Sequence, residues 1–205
     1  MMSKKSKRFL KTSLYAPTVE DIYEGHTISK HFNFDGLENQ MEGQFRPGHY
    51  DGVGTVVKRL FEIVKPTRAY FGEKDFQQLQ IVKKLVQKLK MPITIIGCPI
   101  HRESNGLAMS SRNERLSESE KKQAAVIYKT LKTAKTKFKN KSASTVSDLV
   151  SKTFEAIPSI TLEYFQIADE DTLLPCLRKN KNKKYRAFIA VFINKIRLID
   201  TISLN

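Results

Sequence analysis

The residues with the clearest chemical potential stand in a row at Gly72-Glu73-Lys74-Asp75, followed by Phe76-Gln77-Gln78. They separate a short apolar stretch from an amphipathic one, so they fall where a strand passes into a helix. At such junctions ligands bind beyond the strand ends, and helix N–H groups face anions. Lys74 can reach a phosphate, Asp75 can accept from ribose hydroxyls or cap the helix, and Gln78 lies about one turn further on the same side. Read alone, the segment is equally a capped helix start with a surface lysine, because no G-x-x-x-x-G-K-[ST] loop is present. Gly106-Leu107-Ala108-Met109-Ser110-Ser111-Arg112-Asn113 is a second candidate. Two hydroxyls before a guanidinium make a compact anion site, or only a polar loop. A third segment, Phe45 to Gly54, is rich in turn residues and presents Arg46 and His49. His26, His31, His49 and His101 show no metal-ligand spacing, and no Ser/His/Asp or Cys/His arrangement stands out.

These segments need elements to position them. Val53, Val56, Val57, Leu60, Phe61 and Val64 have helical spacing, and Pro66 stops the helix. Arg68–Phe71 reads as a buried strand, Phe76 to Leu89 as a helix, and Ile93–Ile96 as another strand. That βαβ unit predicts a parallel sheet with a right-handed crossover. Two strands alone are too few to bury both faces of such a sheet. Either another chain completes it or half of a doubly wound domain is missing. Ser117-Glu118-Ser119-Glu120 is a capping box opening a helix through about Phe138. A further helix carries Val146, Leu149, Val150, Phe154 and Ile157. Strands follow at 161–168, 186–193 and 196–200, the last two joined by Asn194-Lys195. The expected fold is an incomplete doubly wound, Rossmann-like α/β domain over residues 14–112, then a small α+β domain with an antiparallel sheet over 113–205. Residues 1–13 form an unmatched basic segment.

A chain of 205 residues with 40% hydrophobic and 28% charged side chains is globular rather than disordered. Cys98 and Cys176 are too few for a disulfide framework or a four-ligand zinc site, and point to a reducing compartment. No apolar run is long enough to span a membrane, and the basic start lacks a signal-peptide core. The net charge of +15 resides in three runs: five cations in residues 4–11, eight in 121–141 and six in 178–186. The rest of the chain is slightly acidic. The runs read as solvated lysines on surface elements, with an acidic partner such as nucleic acid as the alternative.

Taken together, Arg46-Pro47-Gly48-His49-Tyr50-Asp51-Gly52-Val53, Phe71-Gly72-Glu73-Lys74-Asp75-Phe76-Gln77-Gln78 and Gly106 to Asn113 closely resemble the pantothenate synthetase family. The resemblance runs from about Tyr15 to Asp200. It implies an ATP-dependent ligase that joins pantoate to β-alanine through a pantoyl adenylate. It implies ATP contacts by Gly72, Glu73, Lys74, Asp75, the backbone of His101, Met109, Ser110, Ser111 and Arg112, with Lys74 and Arg112 at the reacting phosphates. Gln78 would hydrogen-bond pantoate, Mg²⁺ would ride on the phosphates, no protein metal site is expected, and a cytoplasmic homodimer is implied. The family's M-G-x-L-H-x-G-H and N-P-x-Q-F signatures do not occur in this sequence. The expectation is therefore a truncated chain, inactive or nearly so alone, with a noncatalytic partner of a separate N-terminal half or a polyanion-binding module as rival readings.

Overall fold

The computed structural model describes residues 13–23 and 29–205, so His26 and the cation run at 4–11 lie outside the described residues. A short helix α1 (Val19–Tyr23) and a single turn α2 (Glu42–Phe45) precede the longer α3 (His49–Val64). Helix α3 starts four residues before the apolar repeat begins. Its true start is set by Gly48, whose φ of +75° reverses the chain just outside the first turn. The stop is as predicted, with Lys65 in the left-handed region before Pro66, its N–H donating to the Phe61 carbonyl.

Strand β1 (Arg68–Gly72), a 3₁₀ turn at Glu73–Asp75, helix α4 (Phe76–Lys88) and strand β2 (Thr94–Cys98) form the expected parallel βαβ unit. Ala69 lies opposite Ile95 and Phe71 opposite Gly97. Ala69, Phe71, Ile93 and Ile95 pack against Phe61, Val82 and Val86 of α3 and α4. The other face is open: Tyr70 is 61% exposed, and no residue of either strand is fully buried.

Helices α5 (Glu118–Phe138) and α6 (Ala143–Glu155) lead into an antiparallel sheet of order β3–β4–β5 (Ile160–Asp169, Tyr185–Ile193, Ile196–Ser203). Strand β5 runs past its predicted end because Thr201 stays in register and donates its hydroxyl to the Ala187 carbonyl at 2.7 Å. The central strand β4 is buried on both faces. Ala187, Ile189, Val191 and Ile193 meet Ile127, Leu131, Val146 and Phe154 of the helices. On the reverse face, Phe188 meets Phe76 of α4 at 6.0 Å between ring centres, in a core that also holds Phe34, Met41 and Leu79. The two sheets therefore share apolar packing, which fixes the β1–α4 junction against β4 and β5.

Candidate active site

A cleft of about 240 Å³ opens at that junction. Lys74, Asp75 and Gln78 enter it from the start of α4, Arg46 and His49 from the turn between α2 and α3, and Arg112 from the 3₁₀ turn Ser111–Arg115. Lys74 is held loosely: its Nζ lies 3.9 Å from Asp75 Oδ2. Asp75 occupies the N-cap position of α4 but caps nothing with its side chain. Its carboxylate therefore faces the cleft and does not satisfy the helix.

The adjacent glutamines divide their work. Gln77 is buried, accepts from the Glu42 N–H at 3.0 Å and donates to the Leu37 and Gln40 carbonyls at 2.8 Å each. Gln78, one position on, turns into the cleft. Gln77 thus ties the loop carrying α2 to α4, leaving Gln78 free for a ligand.

Three arginines lock the surroundings. Arg186 on β4, with 7% of its side chain exposed, donates to Glu170 at 3.0 Å and Glu73 at 3.2 Å, and stacks 3.9 Å from the Phe76 ring. Arg102 grips Asp200 with two hydrogen bonds of 2.7 and 3.0 Å and lies 3.6 Å from the Tyr128 ring centre. Gly106, at φ +92°, admits that ring, since a Cβ there would sit 2.7 Å from Tyr128 Cδ1. Burial, outweighing the pull of Arg102, raises the Asp200 carboxyl above its ordinary pKa. Arg197 on β5 holds Glu42 at 2.7 and 2.8 Å and also pairs with Glu163, while the Tyr164 hydroxyl donates to Glu42 at 2.8 Å. Burial alone would raise Glu42, but Arg197 outweighs it and holds the carboxyl below its usual range.

Eleven of the fourteen described cations in the two later runs are exposed, as expected of solvated lysines, and Arg186 is the buried exception among the fourteen. Arg186 is buried in ion pairs, Lys135 donates to the Ser203 and Asn205 carbonyls at 2.8 Å each, and Lys179 donates to the Phe138 carbonyl over that residue's ring. Glu73, expected at the nucleotide, is engaged by Arg186.

Of the other expected site residues, Ser110 lies with Lys74 and Arg112 around a gap of about 10 Å³ behind the cleft. The Ser110 hydroxyl accepts from the Arg112 N–H at 3.2 Å. Gly72, His101, Met109 and Ser111 do not line the cleft. The His101 carbonyl accepts from the Met109 N–H at 2.9 Å, and Met109 is exposed. Glu42, Tyr50, Tyr164 and Asp200 line the cleft without having been singled out in the sequence. Tyr50 stands inside the turn-rich Phe45–Gly54 segment, where only Arg46 and His49 drew attention, and Glu42 lies just before it. Tyr164 and Asp200 lie within strand patterns and reach the cleft only through tertiary packing.

A parallel βαβ unit with a cleft of mixed charge at its strand-to-helix junction, backed by an antiparallel sheet, is the arrangement of a nucleotide-handling α/β enzyme. The profile of the family described as pantoate-beta-alanine ligase matches residues 3–203. A pantothenate synthetase of Flavobacterium psychrophilum is 68% identical over 194 residues, covering 95% of this chain and 69% of that protein. One from Christiangramia forsetii is 52% identical, covering 94% and 68%. Among solved structures, the pantothenate synthetase of Thermus thermophilus is similar at a TM-score of 0.83 and 37% identity over 92% of this chain and 68% of that one. The Francisella tularensis pantoate-beta-alanine ligase, complexed with beta-gamma ATP and beta-alanine, is similar at a TM-score of 0.66 and 30% identity, covering 90% and 62%. This chain belongs to the pantoate-beta-alanine ligase family, a family of ATP-using ligases, and spans somewhat over two thirds of the length of the curated relatives named here. The match begins at residue 3, so it takes in most of the segment expected to be unrelated.

Proposed function

We propose that the cleft binds ATP and pantoate for carboxylate activation, with Lys74 and Arg112 at the phosphates, Asp75 at the ribose and Gln78 on pantoate. The observation that carries this reading is the convergence of these four side chains, from segments nearly forty residues apart, on one cavity. A pantoate carboxylate oxygen attacks the α-phosphorus, and pyrophosphate leaves with the electron pair of the broken P–O bond. The nucleophile is already an anion, so this step needs positioning and positive charge more than a base. Lys74 supplies a loosely paired ammonium, and Arg112 with Ser110 supplies donors nearby. The β-alanine amine then forms a bond to the acyl carbon, and AMP departs from it.

Among the described residues no group of His, Cys, Asp and Glu is arranged to hold a metal ion. Mg²⁺, which the family resemblance implies, would ride on the phosphates and offset their charge. No helix among the described residues is long and apolar enough to cross a membrane. A homodimer and a cytoplasmic location rest on the family resemblance.

The test is pantoate-dependent exchange of labelled pyrophosphate into ATP, with ATP binding followed by calorimetry. Exchange by the chain alone is expected to be weak, and Lys74→Ala is expected to weaken ATP binding and to lower that exchange further, as removal of a transition-state donor does. ATP binding and exchange both indifferent to Lys74→Ala would overturn the reading.

A further inference from the structure

The Arg46 to Val53 motif forms one wall of the cleft and carries a guanidinium whose charge is unmet. Arg102, Arg186 and Arg197 are each satisfied by carboxylates. Arg46 is not. Among the described residues its polar partner is His49, with Nη1 donating to Nε2 at 2.9 Å. That geometry needs a neutral imidazole. Burial, followed by the charge of Arg46, holds His49 below its ordinary pKa and keeps it neutral. The nearest carboxylate along the chain, Glu42, is committed to Arg197 and Tyr164.

An unpaired guanidinium on a cleft wall selects an oxyanion, and its planar fork suits a carboxylate or a phosphate. Phosphate is already provided for by Lys74, Ser110 and Arg112, which share the gap behind the cleft that Arg46 does not line. Resting on the function proposed above, one anion is left over: the carboxylate of the amino substrate, which stays unreacted while the nitrogen at the other end attacks.

We infer that Arg46, oriented by His49, binds the carboxylate of β-alanine and thereby selects an amino acid over a simple amine. Pairing to a charged acceptor leads to an expected preference of about 10- to 100-fold for the acid over its neutral amide.

The test is ligand-observed NMR on the chain saturated with AMP, titrating β-alanine, β-alanine amide and, separately, inorganic pyrophosphate. Arg46→Gln and Arg46→Lys are compared with the parent chain, with circular dichroism confirming the fold. In the parent chain the acid should bind about 10- to 100-fold more tightly than the amide. In Arg46→Gln that preference should collapse, with Arg46→Lys intermediate. A purely structural role for Arg46 would weaken acid and amide equally and leave the preference intact, overturning the inference. Loss of pyrophosphate affinity with an unchanged acid preference would reassign Arg46 to phosphate and also overturn it, as would absence of β-alanine binding. Failure of AMP to bind counts against the nucleotide reading alone, since the acid-to-amide comparison still reports on Arg46.

Discussion

At the scale of single residues, the site turns on neighbours that look interchangeable in sequence. Gln77 and Gln78 are chemically identical, yet one satisfies three backbone groups and the other faces the cleft. Gln77→Ala would strand the Glu42 N–H and two carbonyls, costing about 1–3 kcal/mol. Gln78→Ala should leave stability within about 0.5 kcal/mol while weakening pantoate binding. Urea denaturation of both variants, with pantoate titrations, checks this, and equal destabilisation would contradict the division of roles. The sequence showed Gln78 as a candidate because of where it stands after the strand. The role of Gln77 was hidden, because its partners lie 35 to 40 residues away in a loop with no pattern of its own.

At the scale of elements, local rules served well where local forces decide. The capping box is present, with the Ser117 hydroxyl accepting from the Glu120 N–H at 3.3 Å and Glu120 accepting from the Ser117 N–H at 2.7 Å. Glu120 also accepts from Asn194 at the β4–β5 turn, so the cap joins α5 to the hairpin. Ser117→Ala should cost about 1 kcal/mol, measurable as a lowered denaturation midpoint. An unchanged midpoint would show that hairpin packing alone holds the helix start. The βαβ unit and the hairpin were equally legible from periodicity and turn residues. The start of α3 was not, because Gly48, and not an apolar side chain, sets it. The burial of Arg186 was also illegible, since a cation in a lysine-rich stretch looks solvated until Glu73, Glu170 and Phe76 are brought around it.

At the scale of the whole molecule, the cleft is a product of long-range ion pairs. Arg197→Met would leave Glu42 without its cation, at a cost of about 2–4 kcal/mol, somewhat below that of breaking a fully enclosed pair. Replacing Glu42 by Gln as well should recover part of that loss, because the uncompensated charge is then gone. A double variant no more stable than Arg197→Met would show that packing, not charge, sets the cost. The separations involved also bear on how the protein is made. Glu73 and Arg186 are 113 residues apart, and Glu42 and Arg197 are 155 apart. The ribosome therefore delivers Glu42 and Glu73 long before the strands that hold them, and at about 5–20 residues per second the wait lasts roughly 6 to 30 seconds. During that interval Phe76 and Phe188 cannot meet, so the Phe76 end of α4 waits for its cover while Val82 and Val86 can already pack on Phe61, Ala69 and Ile95.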